Sequence, residues 1–275
     1  MLSRQECWAR VSELMHRETG VLLQEDQAYL LESRVQPIAQ IQKYASLESF
    51  VESACSVAAS GRVRMALVDA MTTHESYFFR DSFFWGSLQT EVLRQFKAEG
   101  RRKLRVWSAA CSYGQEAYSL AMLLKESDPE LLRNTEIFAS DVSEAALERA
   151  RKGVYSTVEV NRGLTAPRLI KHFDKSPGGF SIKEDLRRVI QWRAENLLQV
   201  AHKALPFDII LCRNVLIYFD NKDRQVALSN LLGSTTEGGY IGLGTSETLL
   251  KPQVAPGWYR YTRAKENGEP YDKSK

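Results

Sequence analysis

Residues 104–110 read Leu-Arg-Val-Trp-Ser-Ala-Ala. The run is too short for a buried helix and the right length for a strand covered on both faces. A loop of small residues follows at once and leads into a helical pattern over 116–125. A strand buried on both faces needs helices above and below it, and parallel neighbours reached through crossovers. The downstream sequence supplies them. EIFASD (136–141) predicts a second strand, SEAALERARKG (143–153) a second helix, FDIILCRN (207–214) a third strand and GGYIGLGTSE (238–247) a fourth. This alternation predicts an α/β domain around a mostly parallel sheet. WYRYTR (258–263) is expected to close the sheet as part of an antiparallel hairpin.

The first seventy residues follow a helical period instead. Ser3 and Glu6 fit a capping box, Trp8, Val11, Leu14 and Met15 mark one apolar face, and Gly20 marks a stop. A second helix is expected to start after Asp26 and to end or kink at Pro37, with further helices over about 47–58 and 62–71. Residues 1–71 are therefore expected to form an all-α N-terminal domain. Residues 72–99 read as a linker and the start of a ligand site, 100–264 as the α/β domain, and the polar stretch 265–275 as a disordered tail. The alternations Phe180/Ile182 and Val189/Ile190/Trp192 suggest a small inserted β-subdomain at about 172–195.

Composition excludes several classes. With 37 basic and 34 acidic side chains the net charge is +3, too even to imply nucleic-acid binding. The opening MLSRQECWAR lacks the apolar core of a signal peptide, and no apolar run is long enough to span a bilayer, so a cytoplasmic protein is expected. Cys7, Cys55, Cys111 and Cys212 lie far apart without zinc spacing, which predicts four reduced thiols and no metal. His16, His172 and His202 read as surface residues.

In α/β domains ligands sit at the carboxyl ends of strands. The first strand here ends in Ala109-Ala110-Cys111-Ser112-Tyr113-Gly114-Gln115-Glu116, whose small residues let backbone approach a ligand and whose Gly114 can take a positive φ. It is neither GxGxxG nor GxxxxGK[ST]. Asp141 ends the second strand, where an acid can accept from both hydroxyls of a ribose. Together these features suit an adenosyl ligand without a pyrophosphate, such as S-adenosylmethionine (SAM). A generic strand–turn–helix with a surface Asp accounts for them equally well, and on these features alone both readings stand.

Four longer segments separate the two. They are TTHESYFFRD (72–81) followed by Phe83-Phe84, VWSAACSYGQEAYSLAM (106–122), FASDVSEAALERARKGVY (138–155), and FDIILCRNVLIYFD (207–220) with the later GGYIGLGTSE. In this order and spacing they resemble the chemotaxis receptor methyltransferases, the CheR family. The resemblance implies a Rossmann-like SAM-dependent methyltransferase sheet with a small inserted β-subdomain, preceded by an all-α domain. It implies transfer of the SAM methyl group to glutamate side chains on the cytoplasmic helices of a chemoreceptor, with S-adenosylhomocysteine as product.

The same resemblance implies a set of site residues. His74, Ser76 and Arg80 fall on the Asn, Thr and Arg of the family's first motif, and Glu116 on the second acid of its GEEP turn. Asp141 falls on the acid after the second strand, and Asn196 and Leu197 on the NL step after the insertion. Arg213, Asn214 and Val215 form the RNV turn, and Tyr218 follows in IYFD. Arg80 and Tyr218 are the candidates at the reacting centre, since a guanidinium can hold a carboxylate in a two-pronged grip. A salt bridge from Arg80 to the adjacent Asp81 is the bland alternative. The chain departs from the pattern at His74 for Asn, Ser76 for Thr, Gln115 and Ala117 in the GEEP turn, and at Tyr113, which could crowd the methionine end of SAM or stack beside it.

The rivals are a methyltransferase for another acceptor and a non-catalytic SAM-binding module. A DNA amino-methyltransferase is disfavoured because Arg213-Asn214-Val215-Leu216 stands where [DNS]PP[YFW] would be needed. A helical nucleic-acid-binding domain is disfavoured because the N-terminus has no basic run. Some members of the family tether to a receptor's C-terminal peptide through a long glycine-bearing loop of the insertion. The corresponding connection here, 172–180, is short and stiffened by Pro177, so the chain is expected not to need a tethering pentapeptide. Arg34 and Lys43 are then candidate contacts to acidic receptor helices.

Overall fold

The computed structural model describes residues 2–200, 206–249 and 253–262. Within them nine strands succeed one another: β1 (Leu104–Ala109), β2 (Thr135–Asp141), β3 (Val154–Tyr155), β4 (Phe173–Ser176), β5 (Gly179–Ile182), β6 (Ile190–Ala194), β7 (Phe207–Cys212), β8 (Thr235–Leu243) and β9 (Trp258–Arg260). Six form one sheet in the order β6-β2-β1-β7-β8-β9. Every pairing in it is parallel except β8 with β9, so the expected antiparallel closure is present. The chain builds outward from β1 through β2 to β6, then returns to the other side of β1 with β7 and β8. The order therefore reverses between β1 and β7, and a crevice opens at their carboxyl ends.

The insertion begins and ends earlier than expected, running from Val154 to Ile182, and is differently composed. Strands β3, β4 and β5 form a three-stranded antiparallel sheet in the order β3-β5-β4. The Val189/Ile190/Trp192 alternation belongs elsewhere, in β6, which pairs parallel with β2 from Ile137↔Ile190 to Asp141↔Ala194. An edge strand with one buried face alternates like a ribbon strand, and period alone does not say which sheet owns it. Two-residue β3 is too short to show any period.

Residues 72–99 are not merely a linker. Helical segments Ser82–Ser87 and Leu93–Ala98 flank a π-helical turn, Leu88–Val92, without interruption. Phe84, Trp85, Leu88, Val92 and Phe96 from this stretch belong to the same core as β1. Phe84 stacks on Trp258 of β9 with centroids 4.5 Å apart and planes 15° from parallel. The stretch is thus the first helix of the α/β domain.

The N-terminal domain has its own core of Trp8, Val11, Leu14, Met15, Phe50, Leu67 and their neighbours. Its first helix, Arg4–Thr19, carries both hydrogen bonds of the Ser3/Glu6 capping box and ends at Gly20. Pro37 kinks the next segment rather than ending it. With no N–H to give at 37, the preceding turn widens so that Gln36 N–H bonds to Leu31, and the helix continues to Ile41. Helices Leu47–Cys55 and Gly61–Met71 complete the domain. Arg34 donates to the carbonyls of Met71 (3.3 Å) and Thr72 (3.2 Å), which takes it out of the role of a free receptor contact; Lys43 is exposed.

The two domains join over the crevice. Val21 makes an antiparallel bridge with Phe219, and Leu22 N–H donates to the Tyr218 carbonyl at 2.9 Å. Asn196 Nδ2 donates to Glu18 O at 2.7 Å, and His16 Nε2 stands 2.8 Å from Asp223. His172, read as a surface residue, is instead fully buried with Nε2 2.9 Å from Glu126. His202, Arg263 and the 265–275 tail lie outside the described residues.

Gly114 opens the helix Gln115–Ser127 at φ 87°. A Cβ there would meet Trp192 at 2.7 Å and Ala150 at 2.9 Å. Gly114→Ala should therefore lower stability by about 2 kcal/mol, as left-handed strain adds to a clash in packed core. Urea unfolding checks this, and an unchanged midpoint would show that the turn relaxes without cost.

Candidate functional site

One cleft occupies the crevice. Its floor comes from the residues just after β1, β2, β6 and β7, and its roof from residues 19–23 and 71–77 at the edge of the helical domain. His74, Ser76, Arg80, Glu116, Asp141, Asn196, Leu197, Arg213, Asn214, Val215 and Tyr218 all line it. Residues scattered over 145 positions in sequence meet there because a parallel sheet delivers every strand's carboxyl end to the same side.

Asp141 ends β2 and is 6% exposed. Its Oδ2 accepts from Ser112 N–H at 2.8 Å and its Oδ1 from Ser143 N–H at 3.0 Å. Each oxygen keeps a second lone pair for a ligand hydroxyl. Ala110 and Ser112 both hold positive φ, 56° and 54°, and this contorted turn aims the Ser112 N–H at the acid. Burial pushes the Asp141 carboxyl upward, while the N–H of Ser143 and the neighbouring His74 pull it back. His74 lies between Thr72 Oγ1 at 2.9 Å from Nε2 and Ser112 Oγ at 3.5 Å from Nδ1. Burial pushes its imidazole below the ordinary range, against the charges of Asp141 and Asp69. Tyr113 packs its ring against His74 and under the Arg149 guanidinium, and is not part of the cleft wall.

Arg213, at the end of β7, has a side chain only 3% exposed. It donates to Asp81 at 2.7 Å, to Glu116 at 3.2 Å and to the Arg80 carbonyl at 2.9 Å, and it lies 4.0 Å over the Phe84 ring. Glu116 also accepts from Ser108 Oγ at 2.8 Å. Burial pushes the Glu116 carboxyl up, and the Arg213 charge opposes it. The alternative partner for Arg80 thereby disappears, because Asp81 belongs to Arg213. Arg80 Nη1 donates to the Glu75 carbonyl at 3.1 Å and its guanidinium stands 5.4 Å from the Tyr77 ring centre. Among the described residues no carboxylate pairs with Arg80. Phe79 (φ 49°) and Asp81 (φ 62°) hold left-handed backbone on either side of it. Such strain persists where surroundings over-determine the geometry, and it fixes the direction in which Arg80 leaves the chain.

After β7 the chain turns through Asn214 at φ 60° into a short helical turn, Leu216–Tyr218. Asn214 Oδ1 is buried without a partner among the described residues, an acceptor that a ligand donor would satisfy. Tyr218 is 37% exposed at the rim. Asn196 lines the cleft, but its amide is committed, giving Nδ2 to Glu18 and taking Leu198 N–H at 2.8 Å. One residue with a part in this geometry was given no role from sequence. Glu247, 5% exposed, accepts backbone N–H groups from the turn after β7. The signal was a lone acid closing the GGYIGLGTSE run, where a buried carboxylate demands partners.

The donor set fits a nucleoside that carries an amino acid. Asp141 suits ribose hydroxyls, the Asn214 amide suits a base or ribose group, and Arg80 suits a carboxylate. The cleft has a single histidine, His74, which is held neutral and hydrogen-bonded at both ring nitrogens.

Residues 74–262 match the family model described as CheR methyltransferase, SAM binding domain. The chain is 38% identical over 241 residues to chemotaxis protein methyltransferase 1 of Pseudomonas aeruginosa, covering 86% of this chain and 87% of that one. It is 37% identical over 243 residues to a chemotaxis protein methyltransferase of Vibrio parahaemolyticus, with coverage of 86% and 87%. To chemotaxis protein methyltransferase 2 of Vibrio cholerae it is 30% identical over 249 residues, covering 89% and 86%.

The lowered His74 pKa sets a pH dependence of stability. As pH falls below about 6.5 the unfolded chain takes up a proton that the fold excludes. The contribution of neutral His74 is full above that pH and is lost as pH drops toward the folded pKa. Urea midpoints should decline from about pH 7.5 to about pH 5.5, and His74→Asn should shallow the decline. Identical slopes in the two proteins would show that His74 does not differ between the folded and unfolded states.

Proposed function

This chain belongs to the CheR methyltransferase family, SAM-dependent enzymes of chemotaxis, and from that premise we propose that it esterifies glutamate side chains on the cytoplasmic helices of a chemoreceptor. Family membership carries the acceptor class, and Arg80 is compatible with it: a guanidinium at the cleft with no carboxylate in salt-bridge contact among the described residues, open to a carboxylate of the cofactor or of the acceptor. An acceptor carboxylate is ionised at neutral pH and needs no general base. An amine or alcohol would need one, and the histidine of the cleft, His74, is hydrogen-bonded to Thr72 and Ser112.

SAM, when bound, supplies a methyl group activated by a sulfonium. In this reading Asp141 holds the ribose, Asn214 satisfies its orphaned oxygen on the nucleoside, and Arg80 orients a carboxylate, either the cofactor's own or the incoming glutamate's. Tyr218 presents its hydroxyl at the rim. Glu116 lines the cleft and, with Ser108 and Arg213 as partners, also steadies Arg213. Val21, Leu22 and Leu30 give the helical-domain side of the cleft an apolar lining.

No helix among the described residues is long and apolar enough to cross a membrane, which is consistent with action in the cytoplasm. Strands β4 and β5 are joined through Pro177-Gly178 alone, with Ser176 opposite Gly179. So tight a turn supports recognition that does not depend on a tethering pentapeptide. Lys43 remains the exposed cation of the two first considered for the receptor contact.

Incubation with tritiated SAM and receptor cytoplasmic fragments should give base-labile label. Asp141→Ala should weaken SAM binding by about 1–3 kcal/mol in calorimetry. Arg80→Lys keeps the charge but loses the fork, and should leave folded protein with turnover reduced by about tenfold or more. Label stable to base, or near-normal turnover of Arg80→Lys, would remove the carboxylate reading. Removing a receptor's C-terminal tail should leave methylation unchanged; loss of methylation, with micromolar binding of the tail peptide, would show that the enzyme is tethered.

A further inference from the structure

Strands β7 and β8 lie side by side, with Cys212 opposite Leu243, so the turns that follow them emerge together. Glu247 sits in the second turn and reaches across to the first. Its Oε2 accepts from Asn214 N–H at 2.7 Å and Gly244 N–H at 2.9 Å, and its Oε1 from Val215 N–H at 2.9 Å and Leu216 N–H at 2.7 Å. Four backbone dipoles that point at one place repel one another unless an anion fills it. Glu247 is that anion, and it comes from the chain itself. Charge-assisted bonds of this length to both oxygens hold a carboxylate firmly even when buried. The approach of the two turns is close. A Cβ on Gly244 would lie 2.7 Å from Glu247 Oε2, 2.8 Å from Asn214 Nδ2 and 3.0 Å from the Asn214 backbone nitrogen, so a larger residue there would displace the groups that join the two turns.

We propose that Glu247 is a positioning residue that sets the cofactor-facing conformation of the turn after β7. It is not part of the cleft wall, whereas Asn214 and Val215, whose amides it holds, are. Asn214 at φ 60° is in a conformation that few residues adopt unaided, and its amide is aimed by the backbone that Glu247 fixes. The same turn ends at Tyr218, whose carbonyl takes the Leu22 N–H from the helical domain. One carboxylate therefore governs the nucleoside side of the cleft and the seat of its roof. The inference rests on the reading of this cleft as the SAM site, and it is independent of which acceptor is methylated.

Two variants test it. Glu247→Gln keeps the shape but turns an amide NH₂ toward backbone donors. Glu247→Asp keeps the charge on a stem one methylene shorter. S-adenosylhomocysteine binding is measured by calorimetry well below each variant's unfolding temperature, alongside kcat and KM on a receptor fragment. The expected result is binding weakened by about tenfold or more in Glu247→Gln, a raised KM for SAM, and partial rescue in Glu247→Asp. A lower melting temperature with wild-type affinity and kcat in the folded protein would make Glu247 a purely structural residue and overturn the proposal. Should Glu247→Gln not fold, hydrogen exchange on the wild-type protein decides. Slow exchange at Asn214, Val215, Leu216 and Gly244 supports the proposal, and exchange as fast as in open loops overturns it. A wild-type enzyme that binds the cofactor but labels no glutamate would sink the acceptor reading alone, since the calorimetric comparison would still be made.

Discussion

The buried guanidinium of Arg213 is the point on which the site's architecture turns. It joins three segments far apart in sequence: Asp81 at the head of the helical stretch 82–98, Glu116 in the first turn of the helix 115–127, and its own position just after β7. Removing one partner from such a cluster leaves a buried charge uncompensated, at a cost of about 3–5 kcal/mol. The cluster also decides what Arg80 can do. Because Arg213 takes both Asp81 and the Arg80 carbonyl, the Arg80 side chain is left facing the cleft with its charge available. A structural arginine thus frees a functional one.

The second constraint is the way the helical domain is seated. Its contacts with the sheet domain include backbone on one side or both: the Val21–Phe219 bridge, Leu22 N–H to Tyr218, and the Asn196 side-chain amide to Glu18 O, beside the side-chain contact of His16 with Asp223. Backbone bonds fix direction more tightly than apolar packing does, because they lose strength steeply with angle. The roof therefore sits at a defined height over the carboxyl ends of β1 and β7. Residues that bind the cofactor from below and residues that cover it from above belong to one hydrogen-bonded unit.

Much of this was legible in the sequence, for reasons that differ by element. The strands 104–109, 135–141 and 207–212 are buried on both faces and so announce themselves as apolar runs. The Ser3/Glu6 box is a local interaction and needs no tertiary knowledge. What stayed hidden depends on partners that only folding supplies. Residues 190–194 show the same alternation whether they edge the large sheet or a small one. The aromatic cluster around Phe84 carried so much motif content that its helical period was passed over, although it packs against Trp258 at the far end of the chain. His172 is buried where it and Arg168, four residues before it, gather around the carboxylate of Glu126, 46 residues away. Glu247 shows in the sequence only as a lone acid closing an apolar run; its partners are backbone amides, which carry no mark there.

Charge closes the argument about the chemistry. In the proposed reaction a sulfonium cation and a carboxylate anion give two neutral products: the sulfur keeps the electron pair of its methyl bond, and an oxygen lone pair forms the new C–O bond. Water stabilises separated ions better than neutral products, so it opposes such a step, and a cleft that excludes water favours it. The groups found here suit that demand. Asp81 and Glu116 neutralise Arg213, which leaves Asp141 as a buried acid at the nucleoside end of the cleft and Arg80 as a cation at its wall. The acids are held by hydrogen bonds from Ser112, Ser143, Ser108 and Arg213, so they do not compete for the methyl group. What the protein contributes is a preorganised field of fixed charges, with Arg80 as a cation that no carboxylate bridges among the described residues.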